Sequence, residues 1–164
     1  MPYIGELLNA CGSLNLEFSR VAVVAVSGVS ANPCGHCLLF VQSGGGIYMH
    51  VDGANDYPRY MSQAGYARYL RENKKQEWKR VHLSLPNPSG AAAAMESLLS
   101  GQWRWLLIPH NCVAFVESLI AAGGGSWSSI SNCPAVAIRD ESDVQRFMNG
   151  LESSIYSAYG VARP

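Results

Sequence analysis

Charge is scarce in this chain. Acidic and basic side chains make up 15% of its 164 residues, and twelve of one sign balance twelve of the other. With no net charge and no long basic run, the electrostatic footprint of a nucleic-acid binder is missing. The one dense cluster, RENKKQEWKR (71–80), is mixed in sign and reads as a solvated helix end and turn. Also missing is an apolar run of the ~18 residues a membrane span needs. The longest, VAVVAVSGVSA (21–31), is rich in alanine and valine and suits a buried strand. The opening MPYIGELLNACGSLNLEF lacks a basic start and carries Glu6 where a signal peptide needs an apolar block, so no secretory signal is expected. Synthesis in the cytoplasm follows as the expectation, with export, if any, by a dedicated machine. There is no second C-x-x-C and no H-x-x-x-H to complete a zinc site, so neither metal nor other cofactor is expected. The five cysteines, at 11, 34, 37, 112 and 133, cannot all pair within the chain.

What is present is apolar: 48% of residues, enough at this length for one globular domain over 1–164 with its own core. Residues 3–10 read as a short helix and 20–27 as a buried strand. HCLLFVQ (36–42) and GIYMHVDG (46–53) are strand-like, and the SGGG between them supplies the positive φ angles of a hairpin turn. A helix is expected from about Arg59 to 75, with Met61, Ala64, Tyr69 and Leu70 inward, then a strand over 77–85. Ser89 in PNPSG is placed to cap the next helix, and 111–122 reads as a helix ended by GGG (123–125). PAVAIRD (134–140) reads as a strand. Asp140 caps a last amphipathic helix carrying Val144, Phe147, Met148, Leu151 and Ile155 on one stripe. The fold class expected is α+β, a small, mainly antiparallel sheet packed against helices.

Chemistry concentrates at PHNCVAFVE (109–117). Asn111 is a good helix cap, which puts Cys112 in the first turn, where unpaired N–H groups and the helix dipole favour a thiolate and lower its pKa. The alternative is a buried cysteine acting as a small hydrophobe. A nucleophile needs a base, and the base an orienting partner. His36 begins one strand and His50 ends the next, so a hairpin brings them side by side; Asp52, on the same strand face as His50, is the reserve for the orienting role. His110 and Asn111 are candidate substrate contacts. A competing motif, Cys34-Gly-His-Cys37, is the tetrapeptide of protein disulfide isomerase and would make a thiol–disulfide exchanger at a helix start. The sequence after it, LLFVQSGGG, is short and β-like, and Cys133 reads as structural.

The succession GHCLLFV, GIYMHVDG, HNCVAFVE resembles circularly permuted papain-like cysteine enzymes over roughly residues 34–122. These include lecithin retinol acyltransferase-like proteins and permuted relatives of NlpC-type peptidoglycan peptidases. The resemblance implies an NlpC-type architecture with Cys112 as nucleophile, His36 as general base and His50 as orienting group, and the sulfur within hydrogen-bonding reach of His36. It further implies an amide of a peptidoglycan stem peptide as substrate. By analogy it implies an antibacterial toxin effector, carried by a machine of the type VI secretion kind into a target periplasm and held in check by a cognate immunity protein. The chain lacks the histidine that some acyltransferase-like members place after the cysteine. Acyl transfer or proteolysis on host protein or lipid, thiol–disulfide exchange through Cys34 and Cys37, and a non-catalytic binding module are the alternatives.

Overall fold

Only valine and alanine follow Arg20 in RVAVVAV (20–26), and every one of them is buried. A strand apolar on both faces requires cover on both faces, and the computed structural model shows that cover. It describes residues 1–8, 16–28, 35–52, 57–99 and 112–126, all within one compact unit, Met1–Asn132. The elements are β1 (Glu6–Leu7), β2 (Arg20–Val26), β3 (His36–Val41), β4 (Ile47–His50), β5 (Arg59–Ser62), α1 (Gln63–Glu72), β6 (Glu77–Ser84), α2 (Pro88–Leu99) and α3 (Cys112–Ala122). The strands form one six-stranded antiparallel sheet in the order β1-β5-β4-β3-β2-β6. The class is α+β, as expected.

The pleat sorts the core into two layers. Val21, Val23 and Ala25 of β2 join Cys37, Leu39 and Val41 of β3 beneath α2 and α3, which contribute Met95, Phe115, Val116, Leu119 and Ile120. Ala22, Val24 and Val26 join Leu38, Phe40 and Tyr48 on the other face, against Tyr66 and Tyr69 of α1. Between β3 and β4 the chain turns through a short 3-10 segment, Ser43–Gly45, with Gly44, Gly45 and Gly46 all at positive φ.

Three expected elements differ. Residues 3–10 do not begin a helix: Glu6 and Leu7 pair with Tyr60 and Arg59, because the segment finds its hydrogen bonds on β5 and α1 instead of within itself. The helix expected from Arg59 starts four residues later. Arg59–Ser62 is strand β5, and Ser62 Oγ caps α1 by accepting from Gly65 N–H at 3.2 Å. Met61 is still buried, but from a strand. At α2 the cap is Asn87, not Ser89: Asn87 Oδ1 accepts from Gly90 N–H at 3.1 Å, and Pro88 takes the first helical position, where a missing N–H costs nothing. α3 ends as expected, with Gly123, Gly124 and Gly125 N–H groups on the carbonyls of Leu119, Ala121 and Ile120. The strand expected at 134–140, the helix after Asp140, the cap Asn111, and Cys11, Cys34, Cys133 and His110 lie outside the described residues. Among the described helices none is long and apolar enough to cross a membrane.

Candidate active site

β3 and β4 are set in register by Leu39 opposite Met49, which places His36 and His50 diagonally on one face of the sheet at its end. Their rings meet edge to face, 4.9 Å between centroids, and His36 Nε2 lies 2.8 Å from His50 Nδ1. The other nitrogen of His50, Nε2, is 2.9 Å from the Ile4 carbonyl. A carbonyl only accepts, so His50 carries its proton on Nε2 and offers the Nδ1 lone pair to His36. His36 therefore donates from Nε2, and in the neutral ring its basic lone pair is on Nδ1. Asp52, the reserve for the orienting role, does not take this place. Both histidines are buried, and the Tyr69 ring packs 5.7 Å from His50. Burial holds the His36 pKa well below the usual imidazole value, and the nearby His50 and Lys75 lower it further.

Cys112 opens α3, as expected, and lies in the core layer beside Cys37 with 9% of its surface exposed. Three backbone N–H groups, those of Cys37, Val113 and Cys112 itself, favour its thiolate. The first belongs to the peptide joining His36 to Cys37, so the sulfur sits one peptide from His36. The expected drop in thiol pKa does not follow. Burial pushes the Cys112 thiol up and outweighs the three donors, with the Asp52 charge adding to the rise. Nor is there a hydrogen bond between Cys112 and His36 among the described residues. The pleat turns the His36 side chain to the α1 face and Cys37 to the α3 face, where Cys112 packs. The expected reach of the sulfur to His36 is therefore not met.

Two residues at this sheet end were not singled out from the sequence. Lys75, from the segment read as solvated, is half-buried and donates to the Ser27 carbonyl at 3.3 Å; burial lowers its pKa. Its signal was the turn after α1, where Lys74 adopts φ 54° and reverses the chain. Ile4 contributes a backbone carbonyl, which no side-chain pattern can announce.

Cys37 is free and fully buried inside β3, and its thiol is pushed well above the ordinary range by burial. A strand interior offers none of the helix-terminal acidification that a thiol exchanger uses. Among the described residues no three His, Cys, Asp or Glu side chains converge to hold a metal ion. No family model, no curated protein and no solved structure matches the chain.

Proposed function

We propose that the chain is a cysteine-dependent amide hydrolase of the circularly permuted papain-like kind. The observation that carries this reading is the chain of hydrogen bonds from His36 through His50 to Ile4, which leaves one oriented basic nitrogen on His36. Cys112 opens α3 at the same strand end with its sulfur against the next peptide N–H, and the reading requires the His36 ring to turn toward it when substrate binds. In the proposed reaction Cys112 Sγ attacks the amide carbonyl, forming a C–S bond, while His36 takes the thiol proton. His36 then delivers it to the leaving amine as the C–N bond breaks, and water hydrolyses the thioester. Once the sulfur has turned to the substrate, the Cys112 N–H at the α3 terminus would help to hold the developing oxyanion. Both partners are neutral at rest, because burial raises the thiol and lowers the imidazole, so proton transfer accompanies attack. The resemblance of GHCLLFV, GIYMHVDG and HNCVAFVE to permuted NlpC-type enzymes points to a peptidoglycan stem-peptide amide as substrate. A delivered antibacterial toxin with an immunity partner is the setting that fits it.

Cleavage of purified muropeptides, followed by mass spectrometry, tests the reading. Cys112→Ala and His36→Ala should each abolish turnover, since nucleophile and base act as a unit. His50→Ala should retain more, because it orients the base without bonding to substrate. Full activity in Cys112→Ala would sink the mechanism. The burial of Cys112 favours a second reading, a binding module with an inert thiol. Native Cys112 that resists iodoacetamide with and without muropeptide would support that reading.

A further inference from the structure

The histidine chain ends on a backbone carbonyl, and the segment carrying that carbonyl is clamped on both sides of it. Just before Ile4, the Tyr3 N–H donates to Glu72 Oε2 at 2.8 Å, and the Tyr3 carbonyl accepts from Asn73 Nδ2 at 2.8 Å. The same amide nitrogen donates to the Tyr69 carbonyl at 2.9 Å, so one side chain ties the segment to the end of α1. The Arg68 guanidinium lies 4.5 Å over the Tyr3 ring. Just after Ile4, the Gly5 carbonyl accepts from Arg59 Nη1 at 3.1 Å. Gly5 itself turns at φ +98°, where a Cβ would sit 2.9 Å from the Tyr60 carbonyl.

We propose that residues 3–5, anchored by Asn73, position the reactive centre: the Ile4 carbonyl selects the tautomer of His50 and, through it, that of His36. This rests on the reading of Cys112, His36 and His50 as that centre. The physical reason lies in the 2.8 Å contact between the two rings. A neutral pair joined Nε2 to Nδ1 has two self-consistent arrangements. In one, both rings are protonated at Nε2, and the Nδ1 lone pair of His36 is open as a base. In the other, both are protonated at Nδ1, and the His36 lone pair is spent on His50. Only the first can donate to Ile4, so a clamped carbonyl excludes the second. Among the described residues, Glu72 and Asn73 bond to Tyr3, Arg68 and Tyr69 and not to the histidines or Cys112, which makes them positioning residues.

Long-range proton–nitrogen correlation spectra of the full chain labelled with 15N-histidine read the tautomers without any substrate. The wild-type protein should show His36 and His50 both protonated at Nε2 at neutral pH. Asn73→Ala should show a second His36 species protonated at Nδ1, with kcat on muropeptide down by about tenfold and KM within about twofold. Asn73→Gln, which keeps the amide donor, should restore the wild-type spectrum. Glu72→Ala gives a second reading of the clamp should Asn73→Ala fail to fold. An unchanged histidine pattern in a folded Asn73→Ala or Glu72→Ala protein, or His36 protonated at Nδ1 in the wild type, would overturn the proposal. If the spectra respond as stated while the wild type cleaves no amide, the positioning role stands and the hydrolase reading falls.

Discussion

His36 is buried and held neutral by its surroundings, and that state has a thermodynamic signature. In the unfolded chain its imidazole titrates near the ordinary value of about 6.5. In the folded chain the pKa is depressed, first by burial and then by His50 and Lys75. As pH falls below the unfolded value, the unfolded state takes up a proton that the folded state refuses. Stability is therefore fully present above about pH 6.5 and is lost progressively as pH falls toward the folded pKa. Thermal unfolding of the wild type between pH 8 and pH 5 should show a falling midpoint. His36→Asn should flatten that slope, even if its absolute stability is lower. Equal slopes in the two proteins would place the titration elsewhere. At the same scale Cys112 corrects a simple reading of helix position. A helix start favours a thiolate through local N–H groups, but those groups compete with desolvation, and here the desolvation is larger.

The elements that place the two histidines depend on a few backbone positions. Gly46 enters β4 at φ +89°, and a Cβ there would lie 2.7 Å from Phe40 Cε2. Phe40 cannot easily retreat: Tyr48 packs on its ring at 4.8 Å, and the Arg80 guanidinium lies 5.0 Å over it. Gly46→Ala should cost about 1–3 kcal/mol, measured by urea denaturation, and should shift the His36 and His50 resonances because the hairpin carries both. Asn87→Ala removes the cap of α2 and should cost about 1 kcal/mol with no effect at the histidines. A hairpin variant as mild as the cap variant would show that Phe40 has room to give.

Across the whole molecule, stability should follow the order of strands. β2, β3 and β4 are buried between helices, whereas β1 and β6 are edges with mostly exposed or half-buried residues. Native-state hydrogen exchange should therefore be slowest at Val23, Val24, Leu38 and Leu39, and much faster in β6 and at Glu6 and Leu7. Uniform protection along all strands would contradict this picture. His36 and His50 meet where the central pair of strands, β3 and β4, ends. The N-terminal segment, which completes that contact through Ile4, belongs to an edge.

The periodicity of the chain was enough to locate four of the six strands among the described residues, the β3–β4 hairpin, α3 and its glycine stop. These depend on local alternation, and the glycines appear where positive φ is required. It was also enough to pair His36 with His50, since hairpin register follows from turn position and the pleat alternates by two. Other features were decided by partners distant in sequence. Residues 3–8 are extended because Arg59, Glu72 and Asn73 satisfy their backbone, and Arg59–Ser62 is a strand because β4 and β1 flank it. The hydrogen bond of His36 to His50, the bond of His50 to the Ile4 carbonyl, and the raised thiol of Cys112 are tertiary in the same sense. Each depends on a distance or a degree of burial between segments, and residue order along the chain carries no such quantity.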